Sequence, residues 1–256
     1  MDNRPIGMFD SGVGGLTVYK EVKAKMPNEK IIYLGDTLNF PYGSKSKESI
    51  IELSRKCIDF LISQNVKMII IACGTATSQA LEEMKKEYEI PIIGIIEPTV
   101  SYIKEKNFRD VGVIATRGTI RSNSWEKELR KKIENIHVYN QECPLLASVA
   151  EEGWTDNEIA RLVVKEYLKG FEGKRLDSLI LGCTHYPLFE NMIKQELPNI
   201  EIINTGKVIA DYMEKNLESN TACETAKDEI YLTDKECNFL NVAKNILKQE
   251  VEIKSC

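Results

Sequence analysis

At 256 residues the chain has room for one large domain or two small ones sharing a core, and it needs no disulfide or structural metal to hold that core together. With 43% apolar residues, 15 Gly and 8 Pro, disordered, collagen-like and low-complexity readings fall away. A net charge of −5 implies no broad attraction to a nucleic-acid backbone, and the apolar stretches at 68–73 and 90–96 fall far short of the roughly 20 residues of a membrane span.

Taken in chain order, residues 5–9, 30–34, 67–72 and 91–96 are short apolar, β-branched runs and read as strands. Between them, 16–25, 47–64 and 78–88 place apolar residues at three- and four-residue steps and read as helices. This alternation predicts an α/β fold with mainly parallel sheets flanked by helices. Four more strands follow at 111–115, 136–139, 178–181 and 201–203, each starting about 106–111 residues after its counterpart. Four similar offsets indicate two pseudo-symmetric domains. From Met213 onward the pattern is helical, with a short strand at 229–232 and a helix through 237–248, and this segment is expected to return to the first half. The expected domains are 1–97 plus 208–256, and 98–207. No stretch rich in Gly, Pro or Ser separates them, which predicts a rigid contact rather than a tether.

Seven cysteines, an odd number without a Cys-x-x-Cys pair, argue against a disulfide framework or zinc ribbon and place the chain in a reducing cytosol. The first residues show no secretory signal, and Cys256 lies outside a prenylation box, so a cytoplasmic location is expected. Ligands of open α/β sheets collect beyond the carboxyl ends of strands. The segments there are Asp10-Ser11-Gly12-Val13-Gly14-Gly15, Gly35-Asp36-Thr37 with Pro41-Tyr42-Gly43, Cys73-Gly74-Thr75-Ala76-Thr77 and Gly182-Cys183-Thr184-His185-Tyr186-Pro187. Each of two apolar strands thus delivers a cysteine followed by a threonine and a helix start. A helix start lowers a thiol pKa and binds carboxylates. Two such thiols at equivalent places in two similar halves are able to face one another across a bound anion. A cysteine beside a strand also serves as a small buried hydrophobe, the role expected for Cys57, Cys143, Cys223 and Cys237.

The glycine run at 12–15 lacks both the Walker spacing and the dinucleotide fingerprint. Asp10 either caps a helix or carries a functional charge. Cys183-x-His185 supplies two ligands where a metal needs three or four, so no metal is expected, and His137, inside a predicted strand, reads as structural. Glu151-Glu152 precedes a predicted helix and by itself carries no function.

Together the motifs 9–15, 35–37, 41–43, 71–77 and 182–187 resemble glutamate racemase, a cofactor-independent member of the aspartate/glutamate racemase superfamily, and the likeness runs over nearly the whole chain. The resemblance implies a site in the interdomain cleft and interconversion of L- and D-glutamate, supplying D-glutamate for peptidoglycan, without a cofactor. It implies Cys73 and Cys183 as thiols on opposite faces of the substrate α-carbon, with Asp10 supporting Cys73, and His185 and Glu152 supporting Cys183. It also implies Asp10, Ser11, Tyr42, Gly43, Gly74, Thr75, Thr184 and His185 as substrate-binding. A homodimer is expected, with neither nucleic acid nor membrane as partner. One departure stands out: the family usually has Asn after the first cysteine, where this chain has Gly74, and restoring Asn is expected to tighten binding. Alternatives left open are a racemase for aspartate or a hydantoin, a non-catalytic amino-acid-binding relative, and an interaction domain without a ligand.

Overall fold

Parallel strands alternate with helices throughout the computed structural model, which describes residues 2–217, 227–234, 238–250 and 252–256. The first half runs β1 (Ile6–Asp10), α1 (Gly15–Lys25), β2 (Ile31–Gly35), α2 (Lys47–Ser63), β3 (Met68–Ile71), α3 (Gly74–Glu87), β4 (Ile92–Gly94) and α4 (Ile96–Glu105). The second runs β5 (Asp110–Ala115), α5 (Arg117–Arg121), α6 (Ser124–Lys132), β6 (His137–Glu142), α7 (Pro144–Glu151), α8 (Glu158–Leu168), β7 (Ser178–Leu181), α9 (Glu190–Glu196), β8 (Glu201–Asn204) and α10 (Thr205–Asn216). Then come β9 (Glu229–Leu232), α11 (Phe239–Leu247) and β10 (Ile253–Ser255).

One sheet has the order β10-β9-β2-β1-β3-β4 and the other β6-β5-β7-β8, with every pairing parallel. Within the first sheet, β2-β1-β3-β4 repeats the order β6-β5-β7-β8, so the equivalence read from the strand spacing is a topological one. Every residue of β1, β2, β3 and β7 is buried, as expected for strands covered by helices on both faces. The edge strand β6 is only partly buried and is correspondingly polar.

The C-terminal segment does return to the first sheet. β9 lies beside β2 with Tyr33 opposite Ile230, and β10 extends it. Asp228 fixes this return: it accepts hydrogen bonds from Ile31 N–H at 2.9 Å, Tyr19 O–H at 2.6 Å and Lys23 Nζ at 3.1 Å. The two sheets also share apolar core. Leu16 and Val18 of α1 pack in one cluster with Val208 and Ile209 of α10, and that cluster includes Met8 of β1 and Val113 of β5. Such burial stabilises by about 1.5–3 kcal/mol per large side chain, so the halves are held together by the kind of contact that holds each one.

Candidate active site

In the order 2-1-3-4 the winding direction reverses between the first and third strands, and ligand crevices form at the carboxyl ends there. The fold places one such point in each half. In the first, β1 ends at Asp10-Ser11 and β3 runs into Cys73-Gly74-Thr75; in the second, β5 ends before Thr116-Arg117 and β7 before Cys183-Thr184-His185. The two points face each other across one cavity of about 80 Å³. Ser11, Cys73, Gly74 and Thr75 line it from one side, and Thr116, Cys183, Thr184 and His185 from the other. Both cysteines are buried, and both reach this common space.

Cys73 caps α3: its sulfur accepts the Ala76 N–H at 3.5 Å and lies 3.8 Å from Ser11 Oγ. Burial, with the neighbouring Asp10 charge next, pushes this thiol up to about 12, so it carries its proton at neutral pH. Asp10 is fully buried and accepts from Gly12 N–H at 3.0 Å and Thr184 O–H at 3.1 Å. Burial raises its carboxyl above the usual carboxylate range, against the opposing influence of His185 and these two donors.

Cys183 sits 3.7 Å from His185 Nδ1, and His185 Nε2 is 2.7 Å from Glu151 Oε1. Burial disfavours a charged imidazole, but the hydrogen bonds to Cys183 and Glu151 outweigh it and hold His185 well above the usual histidine range. The same Glu151 oxygen accepts Val13 N–H at 3.1 Å, which locks the second half's relay onto the glycine-rich turn of the first. The glycine run thereby acquires a reason. A Cβ at Gly14 would lie 2.6 Å from the His185 ring and from Thr184 Oγ1, and one at Gly12 would lie 2.4 Å from Glu151 Oε1. The turn is bare because the other half's polar groups rest on it.

Glu151, rather than Glu152, is the carboxylate at the site. Helix α7 extends through 151, so Pro144, Ala147, Ser148 and Glu151 share one face at three- and four-residue steps. The next residue turns about 100° further round and is exposed. From sequence this pair reads as preceding a helix instead of ending one, which hides its helical phase. The turn after Cys183 also differs from expectation: it opens a 3-10 turn over Tyr186–Phe189 before α9. Tyr42 lines the cavity, but its hydroxyl points away, to Asp36 and toward Cys57. Gly43 lines it too, packed so closely on Thr116 that a Cβ there would lie 2.7 Å from Thr116 Cβ.

Thr116 is a site residue that the motif reading missed. Its hydroxyl is 2.9 Å from Thr75 Oγ1 and 2.9 Å from Thr119 Oγ1, which closes a ring of three hydroxyls between the halves. Applying the strand-end rule to β5 would have found it, together with Arg117. Ser148 and Pro144 on α7 line the cavity as well and carry no motif. At Gly74 a Cβ would sit 2.1 Å from the carbonyl oxygen of Gly182, so an Asn side chain is excluded at the present approach of the two halves. Cys57 and Cys143 are buried away from the cavity lining, and Cys223 and Cys237 lie outside the described residues. His137 begins β6 and pairs at the surface with Asp110. Among the described residues no cluster of three or more His, Cys, Asp or Glu is placed to hold a metal, and no helix is long and apolar enough to cross a membrane.

This geometry has relatives. The profile of the Asp/Glu/Hydantoin racemase family matches residues 12–213. The chain is 43% identical to the glutamate racemase of Sulfurihydrogenibium sp. (strain YO3AOP1) over 250 residues, which cover 97% of this chain and 95% of that protein. Among solved structures it is similar to the Francisella tularensis glutamate racemase in complex with D-glutamate, with a TM-score of 0.90, 40% identity and coverage of 99% and 97% of the two chains. The Aquifex pyrophilus glutamate racemase gives a TM-score of 0.83 and 39% identity over 98% of both chains. With paired thiols at matching strand ends and a family profile spanning most of its length, the chain belongs to the Asp/Glu/Hydantoin racemase family.

Proposed function

We propose that the protein is a glutamate racemase acting by two-base proton transfer at the α-carbon. The observation that carries this reading is that Cys73 and Cys183, from equivalent strands of two similar sheets, line one buried cavity. Inverting a tetrahedral carbon without turning the substrate requires a base on one face and an acid on the other, with the roles exchanged for the opposite enantiomer. In one direction the Cys73 sulfur, once Asp10 has taken its proton, removes the α-proton while the Cys183 S–H delivers its own to the opposite face; the reverse reaction runs with the sulfurs exchanged. Asp10 lies beside the first sulfur and the His185–Glu151 pair beside the second, so each thiol has a group that can accept or return its proton. The amides at the start of α3 and the hydroxyls of Ser11, Thr75 and Thr184 meet the substrate carboxylate where charge builds during proton removal. Closing the two halves on the substrate expels water and strengthens these contacts.

In this reading the units closing on the substrate are 1–97 with 208–256, and 98–207. The protein works as a cytoplasmic homodimer, and its product is D-glutamate for peptidoglycan. Incubation with L- or D-glutamate in heavy water, without added cofactor, tests the reaction: the α-proton signal and the optical activity both decay. Cys73→Ala and Cys183→Ala each lower turnover by at least about a thousandfold while circular dichroism stays native. Two-way racemisation by either variant at an appreciable rate would falsify the two-thiol mechanism. Complementation of a D-glutamate auxotroph tests the cell-wall role, and sedimentation tests the dimer.

A further inference from the structure

The cavity mouth opens beside a surface groove of about 780 Å³, and the two share Gly43, Ser44 and Arg117 in their walls. In a chain of net charge −5, this groove is lined by Lys45, Lys47, Arg117, Arg121 and Lys127 against the two acids Glu82 and Glu83. Glu83 is already engaged by Lys86 from outside the groove. Arg117 is the one lysine or arginine among the described cavity-lining residues. Glu142, from beside the groove, accepts from Arg117 Nε at 3.2 Å and Arg121 Nε at 2.9 Å, which offsets one of the five positive charges and leaves the two Nη groups of Arg117 for a carboxylate at the mouth. The other cationic group of the cavity, His185, is committed to Cys183 and Glu151.

Resting on the racemase reading above, we propose that this groove is the approach path for an anionic amino acid, and that Arg117 passes the anion from groove to cavity and selects for a negatively charged side chain. Glutamate at neutral pH carries one net negative charge. Several cations along one groove raise its local concentration, an effect that added salt removes as the Debye length shortens. A neutral amino acid of the same size gains nothing from the groove and lacks the carboxylate that Arg117 can bind through two parallel hydrogen bonds.

The test is the dependence of kcat/KM for L-glutamate on ionic strength. For the triple variant Lys45→Gln/Lys47→Gln/Lys127→Gln we expect kcat/KM at low salt to fall about three- to tenfold and its salt dependence to flatten. Glu82→Gln moves both quantities the opposite way, a sign reversal that general destabilisation does not produce. Arg117→Gln raises KM for glutamate by about tenfold or more. Unchanged salt slopes in the triple variant and in Glu82→Gln, or an Arg117→Gln variant that loses kcat at constant KM, overturn the proposal. Turnover by the unmodified protein at fixed salt judges the catalytic reading separately. If turnover is absent, calorimetric dissociation constants for glutamate across the same salt series decide the groove, and no binding, or binding indifferent to salt and to these substitutions, rejects it.

Discussion

Single positions at this site separate what a motif conveys from what packing decides. Gly74 reads in sequence as a lost amide, a gap to be refilled. In the fold the Gly182 carbonyl already stands 2.1 Å from where a Cβ would be. Gly74→Asn is therefore expected to force the halves apart at a cost of about 1–3 kcal/mol, with a raised KM for glutamate and a lowered thermal midpoint; tighter binding would show that the contact yields freely. Glu151 was legible only as one of two adjacent acids, because a one-residue step rotates a helical side chain by about 100° and composition does not report phase. Glu151→Gln removes the anion that helps hold His185 charged. The basic limb of the kcat/KM pH profile then moves to lower pH, while Glu152→Gln leaves it in place. A histidine whose folded pKa is raised contributes stability that is complete below its unfolded value and fades as pH climbs through the folded one. The stability gap between the parent and Glu151→Gln, measured by denaturant melts, should accordingly be wider near pH 6 than at strongly alkaline pH.

The strands were the most legible elements. Residues buried on both faces must be apolar throughout, so β1, β2, β3 and β7 announce themselves without alternation. Helix starts were less legible. Helix α3 begins at Gly74 instead of 78 because Cys73, a residue with no capping reputation, accepts the Ala76 N–H. Helix α10 begins at Thr205 instead of near 213 because Asn204 caps it through Gly206 and Lys207 N–H. Strand β10, three residues on a sheet edge, has too little apolar surface to register. What the C-terminal segment adds is tested at Asp228. Asp228→Ala strands the Ile31 N–H and frees Tyr19 and Lys23, for an expected loss of about 2–3 kcal/mol and a melting point lower by several degrees. An unchanged melting point would mean that β9 holds by strand pairing alone.

For the whole molecule, the repeated strand order matters more than any one motif. It brings two carboxyl-end crevices together, and the Asp10–Thr184, Thr17–Thr184 and Thr75–Thr116 hydrogen bonds then cross between the halves. A ligand seated there touches both sheets and stabilises the assembled state only. At a hundredfold excess over Kd that linkage amounts to about 2.7 kcal/mol, so D-glutamate should raise the thermal midpoint by roughly 5–10 °C, whereas D-glutamine should do so far less. Equal shifts for the two would argue that the side-chain charge is not read.

The uneven accessibility of the sulfurs has a practical consequence for chemical labelling. Four of the five described cysteines are buried, Cys73 among them with its thiol proton held to about 12, while Cys256 is exposed at the surface. Iodoacetamide offered to the unliganded protein will mark position 256 well before either sulfur of the cleft, and a stoichiometry of modified thiols would then be mistaken for active-site titration. A background with Cys223, Cys237 and Cys256 all replaced by Ser, with peptide mapping of each adduct, turns the same reagent into a reporter of access to the cleft.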